Sequence, residues 1–319
     1  MGVSRDEQEI DGGFERTQYL WTREMMESVC WSLRKGKGRI PMKIGFIGLG
    51  NMATAIIGGL LREDTTLNSE DGNATVITAA NIIGSAKTEA TRQKRAEQFG
   101  IAVTASNREV AEAADVLVLA VKPQFFPEVI AEIRDAVSEN TLVISIAAGL
   151  TLERIAGLFD RNVTAMRLIR CMPNTPALVN AGCTAVVPGP GATEADEALC
   201  LRLMESFGRA IVIPERLMDA ASATAGSSPA FVFMFIEALA DGAVAAGMPR
   251  AQAYEFAAAA VAGSAQLVLE TGRHPGDLKD MVCSPGGTTI EGVRALEEGA
   301  FRASVMNAIS ACVEKAKAL

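Results

Sequence analysis

The sequence predicts an α/β domain followed by an all-helical one, on three observations. Short apolar runs rich in β-branched residues alternate with helical runs from Lys43 to Ile213. A glycine-rich turn stands between the first of these runs and the first helix. After Pro214 the strand signals stop, and alanine-rich segments follow with Phe231, Phe235 and Leu239 at i, i+4 and i+8. Length agrees, since 319 residues make about two domains at roughly 100–200 residues each. The expected divisions are an extension over 1–41, disordered or weakly helical, a first domain over 42–213 and a helical domain over 214–319.

Each element has its own signal. The expected strands are Lys43–Ile47, Thr75–Thr78, Val116–Val121, Leu142–Ile146, Val163–Ile169, Thr184–Val187 and Ile211–Ile213. Continuous apolar strands separated by helices imply a parallel sheet covered on both faces. Helices are expected over Met52–Arg62, Lys87–Phe99, Phe125–Val137 and Glu194–Phe207, with Gly100 and Gly208 as C-terminal caps. Thr193 and Asp196 have the spacing of an N-terminal capping box. In the helical domain the small residues Ala257–Ala260 and Ala262–Ala265 permit close helix approach, which suits an intertwined homodimer and equally a tight monomeric bundle; the dimer is favoured because closed homo-oligomers are common.

Composition excludes several classes of function. A net charge of −8 argues against an extended basic footprint for nucleic acid. Six scattered cysteines without a C-x-x-C pair, and a single histidine, give no metal site and fit a reduced, cytoplasmic protein. No apolar core of signal-peptide length lies in residues 1–41. Ala220–Ile236 is interrupted by Pro229 and Phe256–Leu269 is shorter than the ~20 residues a bilayer requires, so both read as buried helices and no membrane partner is expected.

The chemistry starts at Gly48-Leu49-Gly50-Asn51-Met52-Ala53, a G-x-G-x-x-A loop after a strand and before a helix. Gly48 permits the tight turn, Gly50 lets backbone N–H groups approach a pyrophosphate, and Ala53 lets helix pack on strand. This is the order of a Rossmann-type dinucleotide-binding fold. No acid follows the second strand, Thr75–Thr78; Asn81 stands there, with Lys87, Arg92, Lys94 and Arg95 beyond. A ribose 2′-phosphate is therefore accommodated, which favours NADPH, with NADH as the alternative. Ala120-Val121-Lys122-Pro123 follows another strand at the ligand-binding edge of such a sheet, and Met172-Pro173-Asn174-Thr175-Pro176 is a proline-stiffened turn at a strand end. Ser284-Pro285-Gly286-Gly287-Thr288-Thr289 enters a helix and can turn its N–H groups onto a carboxylate, or be no more than a helix entry capped by Thr288. His274 precedes Pro275-Gly276, where a histidine orders a turn more readily than it transfers protons.

Taken with Ala147-Ala148-Gly149 and His274-Pro275-Gly276-Asp277-Leu278-Lys279-Asp280, these stretches resemble pyrroline-5-carboxylate reductases from Met42 to Leu319. The resemblance implies reduction of a small-molecule substrate, 1-pyrroline-5-carboxylate, to L-proline by NAD(P)H. It implies a cofactor site from Gly48, Leu49, Gly50, Asn51, Met52, Asn81, Ala120, Val121, Lys122, Pro123 and Asn174, the last beside the nicotinamide. Ser284, Gly287, Thr288 and Thr289 would hold the substrate, with the Thr289 hydroxyl at the ring nitrogen, in a homodimer or a ring of dimers. The chain departs from the family pattern at Ser228 and Phe231, where glycine and tyrosine are common, and at Gly272-Arg273, where an acid is common. A related hydroxy-acid dehydrogenase and a catalytically silent nucleotide-binding protein are the other readings.

Overall fold

The computed structural model describes residues 42–62, 66–68 and 74–317; the expected extension over 1–41 lies outside them. An eight-stranded sheet has the order β10-β9-β8-β7-β6-β1-β4-β5. Its strands are β1 (Ile44–Ile47), β4 (Ile82–Ser85), β5 (Ala102–Thr104), β6 (Val116–Leu119), β7 (Leu142–Ser145), β8 (Leu168–Met172), β9 (Gly182–Pro188) and β10 (Gly208–Val212). A separate antiparallel ribbon pairs β2 (Thr66–Asn68) with β3 (Ala74–Val76).

Every residue of β1, β6 and β7 is buried, as a sheet covered on both faces requires. Alternate side chains feed two cores. Ile44, Phe46, Val116 and Val118 pack under α1 (Asn51–Leu60) and α6 (Glu194–Glu205). Ile47, Leu117 and Leu119 pack under α3 (Asn107–Ala113), α4 (Phe126–Ile133) and α5 (Leu152–Leu158). The remaining helix of this layer, α2 (Glu89–Phe99), ends on Gly100 at φ 67°, the expected left-handed cap. The capping box forms as expected: Thr193 Oγ1 accepts from the Asp196 N–H while the Asp196 carboxylate accepts from the Thr193 N–H and hydroxyl.

Several expectations are corrected. The sheet is mixed, because β9 runs antiparallel to β8 and β10 follows it in parallel. Thr75–Thr78 is not its second strand; that place belongs to Ile82–Ser85, paired with β1 from Ile44↔Ile82 to Ile47↔Ser85. Residues 163–165 form a 3₁₀ turn, and the strand expected there starts at Leu168. Gly208 opens β10 and caps no helix, since α6 ends at Ser206. The strand β5 and helices α3 and α5 carry too few residues to have stood out in the sequence.

After Pro214 every described element is helical. A short turn Glu215–Leu217 leads into α7 (Met218–Ala221), a π-helical stretch Ser222–Ser227 and α8 (Ser228–Ala245). Pro229 does not interrupt this run: the carbonyl four residues back, that of Ala225, which its missing N–H leaves open, accepts from the Asn174 NH₂. The resulting 31-residue helix has a window of mean hydropathy 1.5 and is long and apolar enough to cross a membrane. It pairs with α9 (Arg250–Thr271) through buried Ala240, Ala253 and Ala257. Then come α10 (Pro275–Val282), α11 (Thr288–Glu298) and α12 (Phe301–Lys317). Phe233, Met234, Phe256 and Met306 are all more than 60% exposed, so the expectation that these helices are buried fails within one subunit. Large apolar side chains exposed on three helices are the kind of surface that marks an interaction face.

Candidate active site

The carboxyl ends of the strands define one edge. Ile47, Leu119, Ser145 and Ser85 are level with one another in the register, so residues 48–50, 120–123 and 146–149 project from the same side. Gly48 closes onto Ala120 and Val121: at φ +96° a Cβ there would stand 2.9 Å from both the Ala120 carbonyl oxygen and Val121 Cγ1. Its N–H donates to the Ser85 carbonyl (3.0 Å), locking the loop to β4. Leu49 is buried and turned inward against Gly84, where a Cβ would come within 2.6 Å of its Cδ2. Any contact Leu49 makes with a ligand is therefore through its backbone.

Gly50 has the opposite character. A Cβ there would meet nothing within 4 Å, and no side chain caps the start of α1. The first N–H groups of a helix have no partner within it, so Asn51 and Met52 offer donors to an anion lying across Gly50. At the end of β4 stand Ser85-Ala86-Lys87-Thr88, with no acid. The Arg92 guanidinium donates to the Ala86 and Lys87 carbonyls and holds that turn, and the Lys87 side chain is exposed. These donors and this basic end suit a dinucleotide with a 2′-phosphate. Lys122 is exposed where Pro123 starts a 3₁₀ turn, at the same edge.

Two assigned residues lie elsewhere or are otherwise engaged. Asn81 precedes β4 at the opposite edge of the sheet, because the strand follows it instead of leading to it. Its carboxamide oxygen accepts from the Thr78 N–H and hydroxyl, and its NH₂ donates to the Met42 carbonyl, so it fastens the start of β1. Asn174 is at the ligand edge but 8% exposed, with its NH₂ donating to the Ala225 carbonyl (2.9 Å) and its oxygen accepting from the Cys183 N–H (2.8 Å). Its amide joins parts of the protein to each other.

The late segment is open at its helix entry. Gly287 occupies the N-cap of α11 without a side-chain bond, so the reading in which Thr288 caps this helix is not realised. Gly286 adopts φ +66°, and Ser284 Oγ lies over Gly287, 2.3 Å from where a Cβ would be. The Gly287 N–H donates to the Ser284 carbonyl (3.0 Å), so Ser284 and Gly287 close the turn while Thr288 and Thr289 carry the open N–H groups of this helix N-terminus. His274 Nδ1 accepts from the Gly276 N–H (3.0 Å) and caps α10. Among the described residues, no hydrogen bond or ion pair joins 284–289 to the edge that holds 48–52 and 120–123.

Two contacts were invisible in the sequence. Arg170, 5% exposed, donates to Glu215 Oε1 (3.1 Å), which also accepts from the Leu152 N–H (2.8 Å) at the start of α5. Lower in β8's surroundings, Arg167 grips Asp196 through two nitrogens. Burial pushes the Asp196 pKa up, but the Arg167 guanidinium and the Thr193 donors outweigh it and hold the carboxyl below the usual carboxylate range.

Residues 43–149 match the family model described as NADP oxidoreductase coenzyme F420-dependent, and 215–319 match the model for pyrroline-5-carboxylate reductase dimerisation. The pyrroline-5-carboxylate reductase of Escherichia coli (strain K12) is 51% identical over 277 residues, covering 87% of this chain and 98% of the relative. The chain belongs to the pyrroline-5-carboxylate reductase family. That of Methanosarcina acetivorans is 41% identical over 277 residues, 87% of this chain and 97% of its own. The solved pyrroline-5-carboxylate reductase of Coxiella burnetii superposes with a TM-score of 0.78 at 33% identity, covering 87% and 98% of the two chains. A Plasmodium falciparum pyrroline carboxylate reductase with NADP bound gives 0.71 at 30% identity, covering 87% and 97%.

Proposed function

We propose that this protein reduces 1-pyrroline-5-carboxylate to L-proline, the last step of proline biosynthesis, with NAD(P)H supplying the hydride. The observation that carries the reading is the pair of open helix entries, one at Gly50 and one at Gly287, in a chain of this family. The first would hold a diphosphate on the N–H groups of Asn51 and Met52, with Gly48, Ala120, Val121, Lys122 and Pro123 forming the floor. The second would hold the substrate carboxylate on the Thr288 and Thr289 N–H groups, with Gly287, which leaves room for it, and Ser284 beside them. Thr289 Oγ1 would hold a proton at the ring nitrogen. A protonated imine is already electrophilic, so these residues need do little beyond binding, orienting and excluding water.

Because 284–289 has no bond to the glycine-loop edge in its own subunit, a second copy of the chain completes the site in this reading. The exposed apolar faces of α8, α9 and α12 support it: they suit a homodimer or a ring of dimers in the cytoplasm better than a bilayer, given the dimerisation model over 215–319. The test is the oxidation of NADPH and of NADH by the purified chain with pyrroline-5-carboxylate. We expect turnover with both and a lower KM for NADPH, and absence of turnover with either refutes the function.

A further inference from the structure

We infer that Asn174 is a positioning residue: its amide latches the helical unit to the sheet edge and sets the distance between the two halves of the active site. The inference rests on the functional reading above.

Three contacts at the end of β8 carry it. Asn174 lies two residues beyond the strand, in the turn ahead of the 3₁₀ helix Thr175–Val179. Its NH₂ reaches 51 residues forward to the Ala225 carbonyl, inside the π-helical stretch, while its oxygen takes the Cys183 N–H of β9. Met172 Cε lies 3.5 Å from where a Cβ on Gly226 would stand, so the two segments touch directly. The residue four beyond Ala225 is Pro229, which has no N–H, so the Ala225 carbonyl lacks its helical partner and finds its donor in Asn174. Asn174 is 8% exposed and Ala225 half-buried, so loss of the NH₂ leaves a partly shielded carbonyl without its donor.

The consequence follows from connectivity. The π-helical stretch runs straight into α8, which carries the remaining helices and with them Ser284 to Thr289. The glycine loop belongs to the sheet. The latch therefore fixes how the substrate anchor, from whichever subunit, sits relative to the hydride donor, and a misplacement of about 1 Å costs roughly a hundredfold in rate.

Two variants test it. Asn174→Asp keeps the acceptor for Cys183 N–H but sets a carboxylate against the Ala225 carbonyl; on protonation the carboxyl regains a donor of the same shape. Asn174→Ala loses both bonds. The titratable neighbour is the Cys183 thiol, which burial pushes up against the opposing pull of Arg209, so it stays neutral over the range used. At about pH 8.5 we expect kcat to fall at least ~10-fold in both variants, with the NADPH dissociation constant, read by nucleotide fluorescence, within about twofold of wild type. Lowering the pH to about 6 should raise the activity of N174D relative to wild type and leave that of N174A flat. A tenfold weaker NADPH affinity would make Asn174 a cofactor ligand, and wild-type kcat in N174D, or an unvarying ratio across pH, would equally overturn the latch. If N174A fails to fold, N174D carries the test through its pH ratio alone. An inactive wild-type chain refutes the functional reading, and this inference with it.

Discussion

One substitution made at two glycines separates the roles of the nucleotide loop. At Gly48 an alanine must adopt φ +96° and put its Cβ 2.9 Å from the Ala120 carbonyl oxygen, a contact real Cβ atoms do not make. Holding an L-residue in such a conformation costs about 1–3 kcal/mol, and moving the backbone of residue 120 adds to it. Gly48→Ala should therefore lower the thermal midpoint by several degrees, at about 2–4 °C per kcal/mol for a domain of this size. At Gly50 the backbone is extended, φ −74° and ψ −172°, and a Cβ would meet nothing within 4 Å. Gly50→Ala should leave the melting temperature unchanged or raise it slightly, since alanine restricts the unfolded chain by about 0.4–1 kcal/mol. The new methyl group stands where a diphosphate would approach, so NADPH affinity should fall by about 1–3 kcal/mol, roughly tenfold to a hundredfold. Melting curves and NADPH titrations on both variants read the two effects. If G50A binds NADPH as wild type does, the diphosphate does not lie across this helix entry and the cofactor site is misassigned.

Thr289→Val should lower kcat by about 10- to 100-fold while NADPH affinity stays constant, measured by steady-state kinetics against nucleotide titration. Lys87→Ala should raise the KM for NADPH about fivefold and leave that for NADH unchanged, the scale of one exposed charge pair; equal effects on both cofactors would move the 2′-phosphate elsewhere. Asp196→Ala at neutral pH should cost about 2–3 kcal/mol in urea unfolding at fixed protein concentration, less than a fully buried pair because Arg167 keeps 34% of its surface exposed. The Asp196 pKa is depressed in the folded state, so this contribution is complete above the unfolded value near ~3.9 and is lost as pH falls through the folded one. Wild type and variant should converge in acid.

What the sequence made legible was local. The glycine loop, the proline-stiffened turns and the Thr193 capping box each state a backbone requirement within a few residues. The second strand was misread for a physical reason: Thr75–Thr78 is the more β-branched run, yet Ile82–Ser85 takes the place beside β1, where Gly84 leaves room for Leu49. That error carried Asn81 to the wrong edge, and the correct ribose end, Ser85 to Thr88, went unnoticed although its lack of an acid leads to the same cofactor. Arg170 and Glu215 are 45 residues apart, and Asn174 and Ala225 are 51 apart. No periodicity announces such pairs, so the hold of the sheet on the helical unit appears only once the chain is folded.

The π-helical stretch also makes chain length a structural variable. Removing one residue between Ser222 and Ser227 would let that turn relax to ordinary helix, but every residue from Ser228 onward would rotate by about 100° around the axis. The strip bearing Phe233 and Met234 would then point in a different direction. An insertion or deletion of a single codon here, harmless by composition, changes the angular phase of every helix after it.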